Sequence, residues 1–279
     1  MALDNARIAI LMSVYRGDHA AYLKLSVESI LQQSYQNFIF FIIADGNLPE
    51  ELDSYLDSLE DRRVVIRKRS NNIGLAASLN ELIDYACTTD TFDFFARMDA
   101  DDISEGSRLQ IQLDFFNNNS EIDIVGTWYN TIDSNGKNIG SVQLPTSHDQ
   151  LIAFMARRSP VAHPSVMLRS RVFAQGYRYD SNFGFFQDYD LWVRLAASKF
   201  KFANIPLCLL NFREDQNFFK RRASFERALN NSMTSFRHIR NFKLYSIYYL
   251  VSPILLFFLR IAPPAIARFA YRNFRNYRD

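Results

Sequence analysis

Three carboxylates fall within four consecutive positions at Asp99-Ala100-Asp101-Asp102, directly after a strand predicted at 92–98. Like charges held this close raise one another's energy unless a cation or hydrogen-bond donors neutralise them. Hard divalent cations such as Mg²⁺ or Mn²⁺ take carboxylate oxygens and commonly share their shell with substrate phosphates. A solvated acidic loop, or an N-cap for a helix opening near 104–108, accounts for the same residues without a ligand. Asp45-Gly46 is a second acidic turn after an apolar run, and alone it reads equally well as the cap of a helix over 48–59.

The elements that must position these groups alternate along the first half of the chain. Residues 8–14 form a near-continuous apolar run, as a strand covered on both faces requires. Tyr22, Leu25, Ser26, Ile30 and Leu31 then recur at helical spacing. Strands are predicted at 38–43, 64–66 and 92–98, and helices at 50–59 and 75–86. Such alternation implies parallel strands with crossover helices, hence a doubly wound α/β sheet. In open sheets of this kind ligands bind beyond the carboxyl ends of the strands. Asp45 and the Asp99 cluster each follow a strand, so they should share one crevice. In the second half, 124–130 is strand-like, Asp133-Ser134-Asn135-Gly136-Lys137 has hairpin-turn composition, and 165–168 is a further strand candidate. A helix beginning near Asp188 would bury Leu191, Trp192 and Leu195.

With 279 residues, 48% of them hydrophobic, the chain can bury a large core. A net charge of +2 argues against nucleic acid as the main partner. Only Cys87 and Cys208 are present, far apart, which excludes a disulfide framework and fits a reducing compartment such as cytoplasm. Residues 1–7 lack the layout of a secretory signal. Arginines gather over 213–278. Residues 244–259 turn apolar and aromatic, slightly short for a spanning helix. Beyond Pro263-Pro264, Ile266, Phe269, Tyr271 and Phe274 interleave with Arg268, Arg272, Arg275 and Arg278. That composition suits the surface of an anionic membrane, or equally a helix pair packed on the body.

Taken in order, these features resemble glycosyltransferase family 2, the inverting enzymes of GT-A fold that build cell-surface polysaccharides. The resemblance spans residues 8–213. Ile10-Leu11-Met12-Ser13-Val14-Tyr15 is similar to the family's first nucleotide-contacting strand, and residues 25–35 to the helix that follows. Ile43-Ala44-Asp45-Gly46 matches the end of the second strand, with Ala44 where the family often has a first aspartate. Asn71-Asn72-Ile73-Gly74-Leu75 resembles the loop before the third helix. Ala96-Arg97-Met98-Asp99-Ala100-Asp101-Asp102 resembles the metal motif, with Arg108 as its trailing arginine. Gln187-Asp188-Tyr189-Asp190-Leu191-Trp192 resembles the motif of the catalytic base, Gln187 replacing a glutamate. His163-Pro164-Ser165-Val166 resembles the acceptor-side segment. Phe212-Arg213 fits the family's late arginine, followed here by Glu214-Asp215 where a histidine is usual.

The resemblance implies a GT-A domain over 1–220, with a mainly parallel, Rossmann-like central sheet flanked by helices. A helical, basic and aromatic extension over 221–279 would touch the membrane peripherally, at its inner face. It implies Asp188 as catalytic base, and Asp102 with Asp101 as ligands of Mn²⁺ or Mg²⁺. Ser13, Tyr15, Asp45, Asp99, Asp101 and Arg213 would bind the donor nucleotide, UDP first, while His163 and Gln187 face the acceptor. The partners are then a nucleotide-sugar donor and a saccharide or lipid-linked acceptor, with no nucleic acid. A silent nucleotide-sugar binder of the same fold is the alternative, given Gln187 and the altered loop after Arg213. A nucleotidyltransferase fits poorly, because Ser13-Val14-Tyr15-Arg16-Gly17-Asp18 is not a glycine-rich phosphate loop.

Overall fold

The computed structural model describes residues 5–183, 186–214, 225–244 and 247–261. Its first half alternates as the apolar runs require: β1 (Ile8–Val14), α1 (Ala20–Leu31), β2 (Phe38–Asp45), α2 (Glu50–Asp57), β3 (Val64–Arg69), α3 (Leu75–Thr89) and β4 (Phe94–Arg97). These strands run parallel in the order β3-β2-β1-β4. Because side chains alternate across a strand, β1 sends Ile8, Ile10 and Met12 to one core and Ala9 and Leu11 to another. In β2, Phe38, Phe40 and Ile42 join the first core while Phe41 and Ile43 join the second. Helices cover both layers. Leu23, Val27 and Ile30 of α1 pack on the first face; Leu79, Leu82, Ile83 and Ala86 of α3 pack on the second.

The second half departs from a wholly parallel sheet. It contains β5 (Ile103–Ser104), α4 (Arg108–Asn118), β6 (Ile124–Ile132), β7 (Asn138–Val142) and α5 (His148–Met155). A 3₁₀ turn (His163–Ser165), β8 (Met167–Arg169), α6 (Arg171–Ala174), α7 (Gln187–Ala197) and β9 (Phe202–Arg213) follow. The sheet continues from β4 as β8-β6-β9-β5, with β7 also on β6. Of these pairings only β6–β9 is parallel; the rest are antiparallel. The turn at 133–137 closes the expected β6–β7 hairpin. Register along β6–β9 slips between Thr127 and Trp128, passing from Ile205 to Cys208, so Pro206 and Leu207 stand out of the ladder. A proline has no N–H to give a ladder, which explains the break at this point.

Two helices close the described chain, α8 (Phe225–Asn241) and α9 (Ile247–Ile261). α8 is fastened to the body by polar bonds. The Tyr189 hydroxyl meets Ser235 Oγ at 2.9 Å and also donates to the Met155 carbonyl. Buried Asp190 accepts from Arg194 at 2.8 Å and from Arg237 of α8. His238 Nε2 meets the Ile152 carbonyl at 2.7 Å.

Burial pushes the His238 imidazole down to about 4, although its carbonyl partner acts the other way. It is therefore neutral in the fold, while an unfolded chain binds a proton there below about 6.5. Stability is fully present above that value and is lost as pH falls towards 4, by up to about 3 kcal/mol from this ring. Thermal melts between pH 7 and 4 should show this loss, and His238→Gln, which keeps a donor for Ile152, should flatten it. Equal slopes for both proteins would show that His238 is not the titrating anchor.

Candidate active site

The carboxyl ends of β1, β2 and β4 meet on one edge of the sheet, with Val14 opposite Ala44 and Leu11 opposite Arg97. Asp45 ends β2 and is buried. Its register partner on β3 is Arg69, whose Nε and Nη2 donate to Oδ1 at 3.0 and 2.6 Å. Oδ1 also accepts the Ile73 N–H at 2.9 Å, and Oδ2 accepts the Gly74 N–H at 2.9 Å. Asp45 thus fixes the loop that opens α3, not the helix after its own turn, since α2 begins beyond Pro49. Gly46 and Gly74 both take positive φ, near 90°, where a side chain would strain the loop.

Beside it, Ser13 is half-buried on β1, and Tyr15 stands exposed just past the strand, its N–H donating to Asp18 at 2.9 Å. Gly17 packs under the Tyr15 ring, where an added Cβ would come within 2.5 Å of the ring atoms. Any larger residue at 17 must therefore push that ring away.

The acidic cluster is built differently at each of its carboxylates. Asp99 is half-exposed, pairs with the buried Arg97 guanidinium, and accepts Ser26 Oγ on its carbonyl at 2.7 Å. Arg97 also donates to the Leu11 carbonyl at 2.9 Å, which ties β4 to β1 beneath the site. Asp101 presents its carbonyl to Arg213 Nε at 2.8 Å. Asp102 is completely buried, and its Oδ1 accepts the Arg213 N–H at 2.8 Å. Burial, then the charges of Asp101 and Asp99, hold the Asp102 carboxyl well above the ordinary range, against the opposing pull of Arg213. The helix-capping role open from sequence is not taken up, because α4 starts at Arg108 behind Ser107. Arg108 lies buried below the cluster, bonded to the carbonyls of Pro164 and Arg97 at 2.9 and 3.1 Å.

Arg213 comes from the end of β9 and lies against the cluster. Its Nη1 reaches the Asp133 carbonyl at 3.0 Å and its guanidinium lies 4.1 Å from the Tyr22 ring centroid. Four buried atoms around the cluster have no hydrogen-bond partner among the described residues: Asp102 Oδ2, Arg213 Nη2, Arg97 Nε and Arg108 Nε. Buried groups are rarely left so, since each costs about 1–3 kcal/mol. Asp102 Oδ2 is a carboxyl acceptor and Arg213 Nη2 a cationic donor, the two kinds of group that a divalent cation and a diphosphate would complete. No group of three His, Cys, Asp or Glu side chains able to hold a metal occurs among the described residues. Asp101 and Asp102 could supply one or two carboxylates, the share such an ion takes from protein where substrate phosphates complete its shell.

On the other wall, Asp188 lies in the first turn of α7, where the helix dipole favours a carboxylate. Phe186 precedes the helix at φ 65°, a strained conformation for a bulky residue, and is held by packing on the second core. Gln187, at the first position of α7, is half-buried. His163 bonds through Nε2 to the Tyr179 hydroxyl at 2.9 Å and sits edge-on to Trp192. Burial and then Arg97 hold its imidazole well below the usual range, so it is neutral. Tyr179 is buried, which raises its hydroxyl; Arg97 opposes this, while Asp188 and Asp99 add to it. Asp188 of α7 and Asp99 of the cluster thus both lie within electrostatic reach of this hydroxyl. Arg69, Arg97 and Tyr179 went unassigned from sequence. Only Arg97 carries a local signal, two residues before Asp99 and so on the same face of the extended chain.

A family model described as glycosyl transferase family 2 matches residues 9–178. An Escherichia coli protein named O-antigen biosynthesis glycosyltransferase WbnJ is 32% identical over 212 residues, 74% of this chain and 79% of its own. The E. coli UDP-Gal:alpha-D-GlcNAc-diphosphoundecaprenol beta-1,3-galactosyltransferase is 26% identical over 282 residues, 98% of both chains. Among solved structures, the mannosyltransferase PcManGT of Pyrobaculum calidifontis, in complex with GDP-Man and Mn²⁺, superposes with a TM-score of 0.65 at 14% identity. That superposition covers 96% of this chain and 75% of the other, and the likeness is one of fold.

Proposed function

The chain belongs to glycosyltransferase family 2 and has its GT-A fold, and from that premise we propose that it moves a sugar from a nucleoside-diphosphate donor, UDP first, to a glycan or lipid-linked saccharide, with inversion. The observation that carries this reading is that Asp102 Oδ2 and Arg213 Nη2 are buried without partners on two residues joined by the Arg213 N–H bond to Asp102 Oδ1, at the carboxyl edge of the sheet. The E. coli relative that matches along 98% of both chains is named for a UDP-sugar donor and a diphosphoundecaprenol-linked acceptor.

In this reading Asp102, with Asp101, holds Mn²⁺ or Mg²⁺. The bound cation would supply charge neutralisation to the departing diphosphate. Arg213 offers its unpaired Nη2 to the same phosphates, and Asp99, oriented by Arg97, lines the donor site. Ser13 and Tyr15 hold ribose and base beside Asp45, whose Oδ2 accepts one N–H in the fold and keeps a lone pair for the base. Asp188 takes the proton of the acceptor hydroxyl as its oxygen forms the new bond at the anomeric carbon and the nucleoside diphosphate leaves. Gln187 and the neutral His163 stand on the acceptor side. The enzyme works on the cytoplasmic side, in peripheral contact with the membrane's inner face through 221–279. No helix among the described residues is long and apolar enough to cross a membrane.

Calorimetric titration of UDP with Mn²⁺ and with EDTA tests the donor half of this reading. UDP should bind at least about tenfold more tightly with the cation. Affinity indifferent to Mn²⁺ removes the metal from the site, and absence of UDP binding in both removes the donor.

A further inference from the structure

Charge in this chain is sorted by position. Residues 216–279 hold twelve Lys and Arg against Glu226 and Asp279, a net +10, so the preceding residues carry −8 of the total of +2. The described helices of that basic stretch also expose apolar side chains that the core does not use. On α8, Leu229, Met233 and Phe236 recur at four- and three-residue spacing and are all exposed, Met233 at 56%. At 100° per residue they lie opposite His238, whose bond to Ile152 holds the other side of α8 to the body. Arg240 extends the same stripe and is exposed.

On α9, Leu250, Val251, Ile254, Leu255 and Phe258 are exposed, Phe258 at 59%. The two helices form one unit. Ser232 of α8 donates to the Pro253 carbonyl at 3.0 Å. Pro253 has no N–H for the Tyr249 carbonyl one turn back, and the Ser252 hydroxyl donates there instead at 3.2 Å. Exposed apolar side chains in this number, with the exposed cations Arg240 and Lys243 beside them, mark a surface that meets something.

We propose that the exposed face of the α8–α9 hairpin docks on an anionic lipid bilayer, lying in the interface without crossing it. The inference deepens the reading above, and rests on it only for the acceptor being lipid-borne. Charge selects the occupant: a stretch at +10 attracts an anionic lipid surface and repels the same stretch of a second copy. Length selects the mode. The 15 described residues of α9 span about 22 Å, against about 30 Å of hydrocarbon. Position gives the consequence. Arg237 and Ser235 join α8 to Asp190 and Tyr189, next to Asp188 on α7. A docked hairpin therefore holds the base-bearing helix at the membrane surface, where a lipid-linked hydroxyl is presented.

Cosedimentation of the full chain with vesicles tests this. Binding should favour phosphatidylcholine vesicles containing phosphatidylglycerol over phosphatidylcholine alone, and should weaken with salt. Met233→Asp with Ile254→Asp, both at exposed positions, should weaken it about tenfold or more, whereas Ile139→Asp with Leu207→Asp, exposed elsewhere, should not. UDP binding in the presence of Mn²⁺ should be unchanged in both double variants. The proposal is overturned if the Met233/Ile254 variant partitions like wild type, or if wild type ignores anionic vesicles. A dimer seen by light scattering and dissolved by Met233→Asp overturns it too, in favour of a second copy. Vesicle binding that persists in a protein unable to bind UDP sustains the docking surface and sinks only the donor reading.

Discussion

Asp188→Asn is expected to lower turnover by about 10³-fold while UDP affinity with Mn²⁺ stays within about twofold, because removing a positioned general base costs on the order of 10²–10⁴. The substitution keeps shape and removes the proton acceptor, together with a charge that the α7 dipole favours by about 0.3–1 kcal/mol. The scaffold around it is built to survive the change. Tyr189, Leu191, Trp192 and Leu195 of α7 are fully buried, and Asp190 anchors the helix through Arg194 and Arg237. Melting temperature should therefore hold, which separates lost chemistry from lost fold. Initial rates of UDP release, with calorimetry on the same preparation, make the measurement. A variant that keeps turnover within about tenfold of wild type would show that another group takes the proton. Tyr179→Phe is the companion. It leaves Asp188 in place but deletes the hydroxyl on which Asp188 and Asp99 act. A positioning role shifts the pH profile of kcat with little change in KM, whereas a purely structural role changes stability alone.

The sequence disclosed what periodicity controls and hid what register controls. Residues 8–14 and 38–43 are apolar at successive positions because both faces of β1 and β2 are buried, so strand and layer could be read together. The antiparallel β5, only two residues long, leaves no periodic trace, yet it ends the sheet and carries β9 past the acidic cluster. That pairing sets Arg213 beside Asp102 across 111 positions, and spacing in the chain does not report it. Asp45 shows the same limit. Its place after a strand suggested a cap on the next helix, but sheet register gave it Arg69 and the loop before α3. Helix α5 passed unnoticed, although Ser147 and Gln150 form a capping box at its start. The candidate site residues were found because resemblance kept their order; their neighbours Arg97, Arg69 and Tyr179 emerge only from the packed fold.

Asp102→Ala is expected to abolish the effect of Mn²⁺ on UDP affinity and to cut kcat/KM by at least about 10², the usual loss when one electrostatic partner of a leaving group is removed. The argument turns on which oxygen is spent. Oδ1 already accepts the Arg213 N–H, so the fold uses half of the carboxylate to seat β9. Oδ2 is buried with no partner, and burial with Asp101 and Asp99 opposes its charge. A group kept in that condition costs stability unless something bound repays it. Asp102→Asn separates the two uses. Its amide oxygen can keep the Arg213 bond, so the variant should melt no lower than wild type in EDTA. It should still lose stabilisation by UDP with Mn²⁺, because an amide nitrogen cannot ligate the cation. Asp101→Asn, with a weaker hold on the same ion, should fall between wild type and Asp102→Asn. If Asp102→Asn responds to Mn²⁺ and UDP as wild type does, the unpaired oxygen is not the metal ligand. The cation would then have to be held through Asp99 and Asp101, the two carboxylates of the cluster that are not fully buried.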